Sequence, residues 1–247
     1  MKRLTIVLLV ACLTVALAFS VADAAKKKKQ DQGGGPSPSL QSKRSFDVAV
    51  DIGLPVAGFI PYGSVTGDNG LDGRISGVGD VSFPYFGLHA RLYPGPTWFV
   101  QFDVLNYLRQ TGTGTFTTTT DANDEEVEDD FGMTISRFTV LDFGLGAMFG
   151  SGRVRPNAGA GLGIHYLSIT NEDEDEGASG WALGPYGQIG VDFTATKLRG
   201  IGDLFFGANL RLDLVWNWKP IVFEDSNTEL AMAYLPLSFF LSSGLRF

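Results

Sequence analysis

The sequence predicts an all-β chain: an eight-stranded antiparallel transmembrane β-barrel of up-and-down topology, with short periplasmic turns and long extracellular loops. Three observations predict it. Eight segments alternate apolar and polar side chains at a period of two, the repeat of a strand with one oily face. The connections between them alternate short and long, and an even strand number returns both ends of the barrel to the same side of the bilayer. The third is a route out of the cytoplasm. Met1-Lys2-Arg3 is basic, Leu4 to Val21 is nearly all apolar, and Ala22-Asp23-Ala24 has the small-x-small form of a cleavage site.

Residues 1–24 are accordingly read as a signal peptide. Two other readings of this stretch exist. The apolar run is about long enough to span a membrane as a helix, and Leu9-Val10-Ala11-Cys12 has the form of a lipoprotein signal. The cleavage pattern opposes the first, and the second would leave an oily tail on the mature chain. Cys12 is the only cysteine and leaves with the signal, so disulfides and thiol chemistry are excluded. Residues 25–45 hold Lys26 to Lys29 and then Gly33-Gly34-Gly35-Pro36-Ser37-Pro38-Ser39, a composition that cannot bury a core; they are read as a flexible periplasmic leader. The barrel is residues 46–247.

The first strand places Phe46, Val48, Val50, Ile52, Leu54 and Val56 opposite Asp47, Asp51 and Gly53. The second, within Asp80 to Tyr93, sets Phe86, Leu88, Ala90 and Leu92 against Tyr85, His89 and Arg91, and Pro94-Gly95-Pro96 turns the chain. The third sets Trp98, Val100, Phe102 and Val104 against Gln101 and Asp103. The fourth, Gly132 to Phe149, puts Met133, Ile135, Leu141, Phe143, Leu145 and Phe149 opposite Thr134, Ser136 and Asp142. The fifth, Val154 to Ile169, alternates Ala158, Ala160, Leu162, Ile164 and Tyr166 with Asn157, three glycines and His165. In the sixth, Trp181, Leu183, Ile189, Val191 and Phe193 oppose Tyr186, Gln188 and Asp192. The seventh runs from Leu204 to Trp218, with Asn209, Arg211, Asp213 and Asn217 on its polar face. The closing segment, Leu230 to Phe247, alternates Leu235, Leu237, Phe239, Leu241, Leu245 and Phe247 with Tyr234, Ser238, Ser242 and Arg246. The long loops are Ile60 to Gly79, Thr111 to Phe131, Asn171 to Gly180 and Lys219 to Glu229.

Alternation does not say which face points out. A soluble barrel is apolar inside, and a membrane barrel is apolar outside. The apolar face here is the more continuous one, while the other collects charges and glycines. Aromatic side chains also gather near both strand ends, as two membrane interfaces require. The ending on Phe247 resembles the assembly signal of bacterial outer-membrane β-barrels. From Phe46 to Phe247 the chain resembles the small eight-stranded barrels of the OmpA-transmembrane and OmpX type. The resemblance implies an outer-membrane location in a Gram-negative bacterium, surrounding outer-membrane lipid and lipopolysaccharide, and recognition of Phe247 by the assembly machinery.

Eight strands enclose a space that side chains can fill. Asp51, His89, Arg91, Asp103, Asp142, Asp192, Arg211 and Asp213 are expected to form a polar lumen network, since buried charges must pair. No cofactor is expected. A formal charge of −8 without a basic patch argues against nucleic acid. Acyl hydrolysis needs a serine beside a histidine and an orienting carboxylate. The two histidines, His89 and His165, fall on the lumen face, so no catalytic residues are assigned. Acidic runs in two loops carry Asp124, Glu125, Glu126, Asp129 and Asp130, and Glu172, Asp173, Glu174, Asp175 and Glu176. They lack EF-hand spacing and are read at most as weak, screenable Ca²⁺ or Mg²⁺ ligands. The expected role is a non-enzymatic envelope or surface-interaction barrel. The alternatives are a narrow solute channel and a lipid A-modifying enzyme.

Overall fold

The computed structural model describes residues 45–247 apart from 67–71, 80–84, 121–124, 151, 173–175, 199–200 and 224–227. The expected signal peptide and nearly all of the leader lie outside the described residues. Eleven strand segments follow in order: β1 (Ser45–Thr66), β2 (Asp72–Gly79), β3 (Tyr85–Tyr93), β4 (Trp98–Thr120), β5 (Glu125–Met148), β6 (Val154–Asn171), β7 (Glu176–Leu198), β8 (Gly202–Asp213), β9 (Val215–Asn217), β10 (Ile221–Phe223) and β11 (Thr228–Arg246). Neighbours pair antiparallel, and the sheet closes on itself where β1 meets β11, from Asp47 opposite Arg246 to Thr66 opposite Glu229. Segments β2 and β3 both pair with β1 and β4. Segments β8, β9 and β10 all pair with β7 and β11.

Where the ring is closed each strand is paired on both sides, so the backbone polar groups find partners within the wall, whereas the tip of the β4–β5 ribbon pairs only within itself. The outward face is apolar all the way round. Ile52, Phe86, Phe143, Leu162, Ile189, Leu212 and Leu241 come from seven different segments and are 46% to 64% exposed. Water-soluble monomers rarely expose contiguous apolar patches beyond a few hundred Å². A belt of this extent belongs in hydrocarbon, and the ring is a transmembrane β structure.

Two expectations are corrected. Ile60 to Gly79 and Thr111 to Phe131 are not long loops: β1, β2, β4 and β5 run through most of both stretches. Polarity suggested loops, but β-branched threonines suit strands. In β4 they pair across to β5, with Thr115 Oγ1 donating to Asp130 Oδ1 at 2.8 Å. The 23 residues of β4, at about 3.3 Å each, make a strand of roughly 76 Å, when about ten residues cross a bilayer.

The second correction concerns faces. Met133 and Ile135 were placed with the outward Leu141 and Phe143, yet they are 2% and 3% exposed and point inward. The register of β5 against β6 shifts between Thr139 and Leu141, and Val140 and Leu141 both face out. Across the pair, Leu105 of β4 has φ 59°, left-handed backbone that a leucine rarely adopts. Such bulges insert a residue, sharpen the twist and reverse the alternation beyond them.

The interior is layered. Near the short turns lie Tyr93, Phe99 and Met148, with Phe205 also fully buried. Charges fill the middle. Toward the other end an apolar plug contains Leu108, Met133, Ile135, Leu167, Ile169, Ile221, Leu230 and Met232. At the boundary Tyr85 stacks on Phe240 with ring centroids 5.3 Å apart. Gly53 makes that approach possible, because a Cβ there would lie 2.1 Å from the carbonyl oxygen of Phe239. Gly53→Val is expected to cost about 1–3 kcal/mol through overpacking. A fall in the urea unfolding midpoint would show it, and an unchanged midpoint would show that the wall yields freely there.

Candidate functional site: a cross-linked charged lumen

The odd positions of β1, β3 and β8 and the matching positions of their neighbours carry polar side chains inward, and closure brings them together across the ring. All eight residues expected in the lumen are buried there: Asp51, His89, Arg91, Asp103, Asp142, Asp192, Arg211 and Asp213 are each no more than 2% exposed. They fall into three groups.

Arg211 organises the first. Its Nη1 donates to Asp103 Oδ2 at 2.7 Å, and its Nη2 donates to Asp213 Oδ1 at 2.7 Å and also to Asp142. Its Nε reaches Asp213 Oδ1 at 3.0 Å, and the guanidinium sits 3.8 Å above the Tyr186 ring. A planar fork with five N–H donors serves three carboxylates here through four hydrogen bonds, one more than the three donors of a lysine ammonium could supply. Arg137 adds a second cation, with Nη1 3.0 Å from Asp213 Oδ2.

The second group lies nearer the short turns. Arg91 Nη1 and Arg246 Nη2 hold Asp192 Oδ2 at 3.2 and 2.8 Å, and Arg246 also pairs with Asp47 Oδ2 at 3.0 Å. Tyr93 donates to the same Asp47 oxygen at 2.5 Å. Arg91 lies 4.8 Å from the Phe99 ring centroid, and Arg246 lies 4.9 Å from that of Phe205. Gln101 joins the two groups: it accepts from Arg91 Nε at 2.8 Å and donates to Asp103 Oδ1 at 2.8 Å.

In the third group, His89 Nδ1 lies 2.9 Å from Asp51 Oδ2, and Ser242 donates to Asp51 Oδ1 at 2.6 Å. The serine hydroxyl donates its hydrogen bond to the carboxylate, whereas a Ser-His relay has the hydroxyl aimed at the histidine. His165 is bonded instead to Thr139, Nδ1 to Oγ1 at 2.9 Å.

Arg137, Asp47, Arg246 and Gln101 were not among the expected network residues. Asp47, Gln101 and Arg246 share the polar parity of their strands, which is the signal that marks them. Arg137 shares parity with Met133 and Ile135 and was hidden by the register shift. Its signal was the adjacent apolar pair Val140-Leu141, which breaks a strict dyad.

The acidic candidates are not assembled. Asp124, Asp173, Glu174 and Asp175 lie outside the described residues. Glu125, Glu126, Asp129, Asp130 and Glu176 belong to strands, a correction to their placement in loops. Asp129 and Asp130 are exposed, and the exposed Glu172 accepts from Thr134 Oγ1 at 2.5 Å. Among the described residues no group of three or more His, Cys, Asp or Glu side chains is arranged to hold a metal ion.

A closed antiparallel ring, apolar on its lipid side and cross-linked by charge within, defines a transmembrane β-barrel protein. No protein-family model matches the chain, and no curated protein matches it. Among solved structures it is similar to the outer membrane protein OprG from Pseudomonas aeruginosa, at 14% identity over 85% of this chain and 99% of that one, with a TM-score of 0.41. It is similar to Ail, the attachment invasion locus protein of Yersinia pestis, at 11% identity over 81% and 98%, with a TM-score of 0.36. It is also similar to the outer membrane protease OmpT from Escherichia coli, at 8% identity over 86% and 99%, with a TM-score of 0.40. These are similarities to outer-membrane β-barrel proteins, the class that the closing strand resembles.

Proposed function

We propose that the chain is an eight-stave barrel of the Gram-negative outer membrane, with its leader in the periplasm, and that it acts as a non-enzymatic scaffold for surface interaction or envelope integrity. The pairing supports that count: β2 and β3 share the neighbours β1 and β4, and β8, β9 and β10 share β7 and β11, so each set is counted as one stave. The observation that carries the functional reading is the filled lumen. Ion pairs cross it at mid-depth, and apolar layers lie on both sides of them. The space left between Gln110, Met133, Ile135 and Tyr234 is too small for a water molecule. An interior packed in this way supports a rigid anchor, and leaves interaction to the β4–β5 ribbon, where Thr115 and Thr117 stand opposite Asp130 and Glu128. The refolded protein in a planar bilayer is expected to give no sustained single-channel steps. Steady open-channel conductance would replace the scaffold with a solute channel.

A further inference from the structure

On the outer face of the wall, where β11, β1, β2 and β4 lie side by side, a groove of about 530 Å³ is lined chiefly by Leu235, Phe59, Val78, Thr113, Ser76 and Thr115. The sheet register orders these side chains. Leu235 stands opposite Phe59, Phe59 opposite Val78, and Val78 opposite Thr113, in one row across four strands. Two residues further toward the β4–β5 tip Ser76 faces Thr115, and two further still Arg74 faces Thr117. Positions i, i+2 and i+4 share a face, and rows two residues apart are separated by roughly 7 Å. The outer face therefore passes from the hydrocarbon side chains and hydroxyls that line the groove to the Arg74 guanidinium just beyond it, over about 14 Å.

That gradient occurs where the apolar belt ends, on the side away from the short turns. Phe59 and Val78 are 48% and 54% exposed and belong to the belt. Arg74 is exposed and makes no ion pair among the described residues. Glu128 and Asp130 border the hydroxyl rows from β5, so an anion is welcome on the β2 side of the groove and repelled on the other.

We infer that this groove is a docking site for a phosphorylated glycolipid of the outer leaflet. The acyl chains lie along Leu235, Phe59 and Val78. Sugar hydroxyls meet Ser76, Thr113 and Thr115, and a phosphate meets Arg74, whose planar donors suit phosphate oxygens. A phospholipid has the chains and the phosphate but not the run of hydroxyls, which is why the sugar-bearing lipid is chosen. The inference rests on the outer-membrane reading, in that it takes the ribbon end to face the outer leaflet.

The test is native mass spectrometry of the refolded full chain in detergent, offered a diphosphorylated acyl-glucosamine disaccharide, its dephosphorylated form, or phosphatidylglycerol. One diphosphorylated glycolipid is expected to stay bound. Arg74→Glu should reduce the adduct roughly tenfold, the worth of one charge-assisted bond, and Ser76→Trp should reduce it by filling the groove. Equal adducts from the unaltered protein and both variants would overturn the site, and so would phosphatidylglycerol binding as well as the glycolipid. Heat-dependent gel mobility of each sample confirms that the variants fold. Protease access to the β4–β5 ribbon on intact cells separately tests its outward orientation; a failure there would sink the proposed location while the adduct measurement still stood.

Discussion

Arg211→Met is expected to lower barrel stability by about 3–5 kcal/mol, the usual cost of removing one partner from a buried ionic cluster. The side chain keeps its bulk but leaves Asp103, Asp142 and Asp213 facing one another with only Arg137 close by. Like charges in a space of low polarisability repel strongly, and water cannot screen them there. Because whole domains are stable by only about 5–15 kcal/mol, a loss of this size should be plain. Urea titration of the protein refolded into vesicles, followed by gel mobility, reads it as a large fall in midpoint. Arg211→Lys should fall between, since an ammonium has three donors for the four hydrogen bonds that Arg211 makes and lacks its planar fork. Adding Asp103→Asn and Asp142→Asn to Arg211→Met should restore part of the loss by removing the unpaired charge. An unchanged midpoint for Arg211→Met would mean that the network is not what stabilises the lumen.

Leu162→Arg carries the second large effect, and it separates the two solvents that the outer face could meet. Leu162 is 64% exposed and pairs with Phe143, which in turn pairs with Phe102, in the middle of the apolar belt. For a ring in water, replacing so exposed a leucine by arginine would change stability by about 0.5 kcal/mol at most. In a bilayer the same change is expected to cost about 2–4 kcal/mol, because the guanidinium must be drawn into hydrocarbon or must thin the membrane around itself. The comparison is made on protein refolded in phospholipid vesicles. A cost within error of zero, with Arg211→Met still destabilising, would leave the fold standing and remove the membrane from it.

The faces of most strands were legible in the linear pattern. Phe46 to Ile52 and Leu204 to Leu212 alternate, which puts Asp51, Asp103, Asp192 and Arg211 on the face opposite the apolar one; that this face is the inner one rests on its charges and glycines and on the continuity of the apolar face. Two local features hide the rest in the linear pattern. The Thr111–Thr120 stretch is polar enough to resemble a loop, although threonine's branched Cβ suits extended backbone. Arg137 is hidden by the bulge at Thr139 to Leu141, because a single inserted residue exchanges inside and outside for everything on one side of it.

Parity is a property of neighbouring residues, because each peptide unit turns the next side chain to the opposite face. The amino-acid order therefore sufficed for an oily exterior, a charged interior and a chain built of strands. Which carboxylate meets which guanidinium is a different kind of fact. Arg211 meets Asp103 across 108 positions, Arg91 meets Asp192 across 101, and Arg246 meets Asp47 across 199. Those pairings depend on the tilt and stagger with which the sheet closes, quantities summed over every strand and every bulge. The apolar plug above the charges, the aromatic layer below them and the outer groove with its three rows depend on the same closure, since each takes residues from several strands and no one segment carries its signature.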